Sequence, residues 1–176
     1  MRKKFIFLTL FFQIFIFNKT LYAENNIYFI DIKYIFSNSI AGKKVNKQLE
    51  VNSDEIKKEF SNYQKIIKDE GEKLNGQKKI LSKEDFLSKK QELDKKIRNY
   101  NKIISKKEQD YTKFKNDSYN HFLKELLVVV NDYAQKNSIQ LILKKENIIL
   151  GKNNLDISSN VLSLFNNKIK DIKIKW

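Results

Sequence analysis

The sequence predicts a mainly helical α+β protein in which a long antiparallel coiled-coil hairpin projects from a small β-rich body. Three observations predict it. A long lysine-rich run carries apolar residues three, four or seven positions apart, short apolar runs rich in β-branched and aromatic residues flank it on both sides, and none of the 176 residues is proline. Proline inside a helix costs about 3 kcal/mol or more, so its absence leaves long helices unbroken.

Residues 1–23 stand apart. Met1-Arg2-Lys3-Lys4 precedes an apolar run from Phe5 to Phe17, and Leu21-Tyr22-Ala23 offers a small-residue cleavage point. This is the layout of a secretory signal peptide cut after Ala23. The apolar run is shorter than the roughly 20 residues that span a bilayer, which argues against a retained anchor. The remaining chain, from Glu24 to Trp176, is long enough for one modest domain with a small core.

Residues 24–42 are expected to hold the first strand and the start of the body. Asn26 to Phe36 reads NIYFIDIKYIF, the composition of a strand buried on both faces. Ser37-Asn38-Ser39 and Gly42 then punctuate the chain.

Residues 43–121 form the hairpin. In its first arm Val45, Leu49, Ile56, Phe60, Tyr63, Ile67, Leu74 and Leu81 make a thin helical stripe, softened towards its far end by Gly71 and Gly76. Ser82-Lys83-Glu84-Asp85 supplies a capping side chain and acids for a first turn, so the bend is predicted near 79–82. In the second arm Leu93, Ile97, Tyr100, Ile104, Tyr111 and Phe114 keep a four-three alternation that only Lys107 interrupts. A repeat of about 3.5 residues is a coiled-coil seam, and a short turn makes the partner the preceding helix. Arms of about 40 residues would reach roughly 60 Å at 1.5 Å per residue.

Residues 122–167 return to the body. From Phe122 to Ala134 the apolar face widens through Leu123, Leu126, Leu127, Val128, Val129, Val130 and Tyr133, as in a helix packed on several sides. Two apolar runs around a charged turn, Leu141-Ile142-Leu143 and Ile148-Ile149-Leu150, predict a strand hairpin. Asp156 or Ser158 then caps a short helix reaching about Phe165. Residues 168–176, KIKDIKIKW, place Ile172, Ile174 and Trp176 in strand alternation, which fits either an added strand or a loose tail.

Composition excludes several functions. The one histidine, His121, lies on a helix amid Tyr119, Phe122 and Leu123, and there is no cysteine, which removes His/Cys metal sites and Cys-His nucleophiles. The four glycines form no phosphate loop, so neither an enzyme nor a cofactor is expected. A cysteine-free chain also suits an oxidising compartment. The net charge of +14 becomes +10 without the leader's Arg2, Lys3, Lys4 and Lys19, and +8 of it lies between Ile56 and Asn116. A pI near 9.7 makes a nucleic-acid-binding coiled coil a rival reading. The export signal, the mere two arginines and the lack of interleaved aromatics argue against it.

Ile27-x-Phe29-Ile30-Asp31-Ile32, then Ile35-Phe36 and Ser39-x-x-Gly42-Lys43, resembles the opening of the Skp/OmpH periplasmic chaperones. Leu141-Ile142-Leu143, a turn, Ile148-Ile149-Leu150 and Asp156-Ile157-Ser158 resemble their far end. The likeness extends over roughly residues 26–166 and rests on order and spacing rather than on one motif. It implies a homotrimer shaped like a jellyfish, in which strands from three chains close a small barrel-like body and three helical arms surround a cavity. Unfolded outer-membrane proteins are held in that cavity in the periplasm, without ATP or metal.

On this reading Ile27, Phe29, Ile30, Ile32, Leu141, Leu143, Ile148, Ile149 and Leu150 form the trimer body, because three short strands per chain leave exposed edges and little core. Tyr63, Lys89, Lys90, Lys95, Lys96, Tyr100, Lys106 and Lys107 are the client-facing candidates on the arms. Their cationic field would draw in an acidic unfolded chain, an effect that salt weakens. The plainer expectation for Tyr63, Tyr100, Tyr111 and Phe114 is that they are the seam between the two helices, and for the lysines that they are a solvated face. The family also suggests contact with anionic membrane lipid or lipopolysaccharide, but its basic contact residues match no particular positions here. An exported structural coiled coil of the envelope is the remaining alternative.

Overall fold

The computed structural model describes residues 26–174, so the leader with its cleavage point, and Trp176, lie outside the described residues. The element order is β1 (Ile27–Ile30), α1 (Ile32–Asn38), α2 (Ile40–Gly76), α3 (Lys83–Lys136), β2 (Leu141–Lys144) and α4 (Ser158–Lys168). Long helices joined to a small strand pair match the expected fold class.

The first strand is shorter than expected. The sequence from Asn26 to Phe36 looks like one strand, yet only Ile27 to Ile30 is extended. Asp31 ends it by turning its carboxylate onto the Tyr34 N–H at 2.8 Å, which caps α1, so Ile32, Ile35 and Phe36 are helical. A side-chain oxygen on an N-terminal N–H satisfies a donor that the helix itself cannot, and this local gain outweighs strand propensity. Ser39 repeats the device for α2 by accepting from the Gly42 N–H at 3.0 Å. The arm helix therefore starts at Ile40, a few residues before the expected boundary.

The hairpin itself is as predicted. The chain turns at residues 77–82, and Ser82 caps α3 through the Asp85 N–H at 3.0 Å with Glu84 and Asp85 in the first turn. At 1.5 Å per residue the 37 residues of α2 span about 55 Å and the 54 residues of α3 about 80 Å. The extra length of α3 carries it past the arm and into the body. It ends where Ser138 takes a positive φ of 53° and the Ile139 N–H reaches back to the Ala134 carbonyl at 2.9 Å. That left-handed turn sends the chain straight into β2.

The body core is where the two arm roots meet α1 and α4. Ile35, Ala41, Val45, Phe122, Leu126, Val129, Val161 and Phe165 are almost completely buried together. Ring contacts tie the elements: Phe36 meets Phe122 edge-on at 4.8 Å between centroids, and Phe122 meets Phe165 at 5.0 Å. The base of α3 is buried on one side only, since Leu127 and Val128 on its other side remain exposed. The prediction that this base is packed on several sides is thus corrected for the single chain.

The strand hairpin is corrected too. β2 pairs not with Ile148–Leu150 but in parallel with β1, in the register Ile27↔Leu141, Tyr28↔Ile142, Phe29↔Leu143 and Ile30↔Lys144. On its other side β1 forms, among the described residues, a single bridge between Phe29 and Asp156, with the Ile157 N–H donating to the Phe29 carbonyl at 3.0 Å. After β2 a single 3₁₀ turn, Lys145 to Asn147, leads the chain off the sheet. Lys145 is drawn back to Asp156 at 2.7 Å and sits over the Phe29 ring, so the turn closes over the sheet rather than doubling back along β2. Among the described residues of the tail, 169–174 form no strand, yet Ile172 is buried in the core and Ile169 and Ile174 pack against it.

Candidate functional site

Two surfaces are candidates, one on the sheet and one on the arms. In a parallel pair, residues directly opposite one another point to the same side of the sheet. Tyr28, Ile30 and Ile142 face the core, while Ile27, Phe29, Leu141 and Leu143 share the other face. Phe29 is covered, with the backbone of Gly151 so close that a Cβ there would lie 2.7 Å from its ring. Its neighbours are not covered: Ile27, Leu141 and Leu143 are all exposed. Beyond the 3₁₀ turn, Ile149 is fully exposed at 105% and Leu150 nearly so at 92%, while Ile148 is half-buried.

The nine residues predicted for the trimer body are thus divided. Ile30 belongs to the chain's own core, Ile32 is helical and packs against that core, and Phe29 is buried. Ile27, Leu141, Leu143, Ile149 and Leu150 form the uncovered apolar set. Two strands of four residues with an apolar outer face are marginal alone, and fully solvated Ile and Leu side chains side by side are uncommon in a folded monomer.

A small polar network locks the sheet edge. The Asp156 carboxylate accepts from the Ser158 N–H at 2.9 Å and from its hydroxyl, and the Ser158 oxygen in turn accepts from the Asp31 N–H at 2.8 Å. Burial pushes the Asp156 carboxyl up, but hydrogen bonds from Lys145 and Ser158 outweigh it and hold the group below the usual aspartate range. A carboxyl depressed in the folded state contributes its full stability above the ordinary value of about 3.9 and loses it as pH falls further. Thermal unfolding at pH 6 and pH 3 should therefore show a smaller acid-induced drop in Asp156→Asn than in the parent. An equal drop would remove Asp156 from the linkage.

On the arms, Tyr63 and Tyr100 stack on each other with centroids 4.5 Å apart and planes 16° from parallel, inside the seam between α2 and α3. Tyr111 donates its hydroxyl across the seam to the Leu49 carbonyl at 3.3 Å, and Phe114 is buried. Lys96 is held across the hairpin by Glu70 at 2.8 Å, and that hydrogen bond raises its pKa. Lys107 pairs with Glu59, which explains the single break in the apolar repeat: a charged layer replaces an apolar one. Lys89 reaches Gln77 at 3.4 Å. Lys90, Lys95 and Lys106 are exposed on the arm surface.

Other arm residues are more open to solvent than the aromatics singled out from the sequence. Val51, Phe60, Ile66, Ile80 and Leu87 are exposed, with Ile80 at 83% standing in the turn at the arm's end. Apart from Phe60 they lie off the helical stripe, and that off-stripe placement was the signal available in the sequence. Asn52 is the opposite case, a polar side chain buried in α2 at 7% exposure. Among the described residues its Nδ2 finds no hydrogen-bond partner. A desolvated, unsatisfied donor costs about 1–3 kcal/mol, so Asn52→Leu is expected to stabilise the chain by about that amount in thermal or urea unfolding. A lower melting temperature would show that Asn52 has a partner it needs.

The arrangement defines a class: a long helical arm on a small body whose sheet leaves its outer face apolar and open. The family model described as "Outer membrane protein (OmpH-like)" matches residues 26–165, and the chain belongs to that family. Among solved structures, the crystal structure of an OmpH-like outer membrane chaperone from Caulobacter crescentus CB15 superposes with a TM-score of 0.79 at 15% identity, covering 87% of this chain and 90% of that one. At that identity the likeness concerns the fold. No curated protein matches the chain.

Proposed function

We propose that this protein is an ATP-independent periplasmic holdase, which assembles as a homotrimer and keeps unfolded outer-membrane proteins from aggregating between its arms. The observation that carries the proposal is the uncovered apolar set of Ile27, Leu141, Leu143, Ile149 and Leu150 at the foot of a long cationic arm. Copies of the same chain would cover that set and complete the two-stranded sheet, leaving three arms around one space. The arms bring net positive charge for long-range attraction, and Phe60, Ile66, Ile80 and Leu87 bring apolar contact that the seam has not consumed. The family and the chaperone description of the Caulobacter protein support the same reading.

The seam favours a second reading in one respect. Tyr63 and Tyr100 are spent on each other, so an exported structural coiled coil would use the same contacts with no client at all. Dilution of a urea-unfolded outer-membrane barrel into the purified chain, at three chains per client, separates the two. Suppressed light scattering, weakened by added salt and indifferent to ATP and chelators, is the expected result. Trimers that do not suppress aggregation would establish the structural reading, and a monomer by sedimentation would overturn the assembly.

A further inference from the structure

The family match ends at residue 165, but the described residues continue to Ile174 and make specific contacts on the way. Near the start of the segment, the Asn166 side-chain oxygen accepts from the Ile40 N–H at 2.8 Å, in the first turn of α2. Lys168 pairs with Asp132 near the C-terminal end of α3, and that contact holds the Asp132 carboxyl below its usual range. Asp171 lies 3.7 Å from Lys44, back on α2. Between and after these polar contacts, Ile172 enters the core that contains Val45 of α2 and Leu126 and Val129 of α3, with Ile169 and Ile174 against it.

Nine residues thus touch the roots of both arm helices, by charge on each and by apolar burial between them. A segment bound to one helix would travel with that helix. One bound to both, and continuous with α4 in the body, resists any rotation of the hairpin against the body. The lever is long, because a swing of about 10° at the root moves the end of an arm of about 55 Å by about 10 Å. We propose that residues 166–174 are a clasp over the arm root that limits how far the arm swings and so sets the width of the space between arms. The clasp itself needs only the fold, while its effect on the space between arms rests on the proposed trimer, so a failure to hold clients would leave the clasp standing.

The test uses the chain from Glu24, which has no native cysteine. Spin labels at Ile80→Cys in the arm turn and Lys152→Cys in the body, diluted with excess unlabelled chain, report the swing within one chain. Amide hydrogen exchange reports the roots. Both are measured in the parent, in a chain stopping at Lys168 and in Ile172→Ala, the last retaining every ion pair. The clasp predicts a broader 80-to-152 distance distribution in both variants, with exchange at residues 40–49 and 126–133 faster by about tenfold and the middle of the arm unchanged. Unchanged distances and exchange in Ile172→Ala would overturn it. So would acceleration spread evenly over arm and body, which would make the segment ordinary core.

Discussion

Replacing Leu141 and Ile149 together with aspartate is expected to leave a helical, soluble monomer that no longer suppresses client aggregation. Both side chains are exposed in the single chain, at 46% and 105%, so their loss removes little of its own core. In an assembly that covers them, each would contribute about 1.5–3 kcal/mol by burial. Two per chain amount to about 3–6 kcal/mol before the cost of burying a carboxylate, which shifts an association constant by more than about a hundredfold. Sedimentation velocity should show the loss of the trimer, and far-UV circular dichroism should keep most of the helical signal. Trimers that persist would mean that the sheet face is not the interface. A collapse of the helical signal would mean that Leu141 serves the fold of each chain.

Gly42→Ala is expected to produce the largest loss of stability from a single small substitution, about 3 kcal/mol or more. A Cβ at this position would fall inside the van der Waals radius of the Phe36 carbonyl oxygen and press on the Ser39 hydroxyl. Both obstacles are fixed, one being backbone and the other the cap of α2. Relief would require α1 to separate from α2, which breaks into the core at Ile35, Ala41 and Val45. Urea unfolding should show a lower midpoint, with Gly71→Ala as a control that meets nothing within 4 Å and should be neutral or stabilising. A Gly42→Ala chain as stable as the parent would show that the corner between α1 and α2 can open without cost.

Much of this architecture is legible in the residues, and the reason is local. The seam repeat from Leu93 to Phe114, the Ser82 cap with its two acids and the absence of proline each act within a few residues of themselves, so the hairpin and its turn follow from pattern alone. Ser39 is read correctly as punctuation, since it caps α2, whereas Gly42 lies inside that helix and serves its close approach to Phe36 rather than a break in the chain. The errors fall where two local preferences compete or where the answer lies far off in the chain. Ile32 to Phe36 has strand composition, but the Asp31 cap at its start makes it a helix. Ile148 to Leu150 has strand composition as well, but the 3₁₀ turn after β2 and the pull of Asp156 on Lys145 carry the chain off the sheet before it can run back along the open edge of β2.

The candidate site divides in the same way. That the arms are basic, and that Lys107 breaks an apolar repeat, is plain from the sequence. Glu59 as the partner that makes the break tolerable stands 48 positions away and is visible only in the folded hairpin. Likewise, that Tyr63 and Tyr100 stack on each other is visible only in the folded hairpin.

The sequence by itself determined the helical hairpin, its turn, its charge and the supply of apolar residues at its foot, because periodicity and caps work at short range. Only the tertiary structure decided that β1 and β2 run parallel, that Ile30 and Ile142 turn inward while Leu141, Leu143 and Ile149 are left uncovered, and that Ile172 closes over the arm root. Each of these depends on which distant segment reaches a given face first, and burial is settled by that meeting rather than by the composition of either partner.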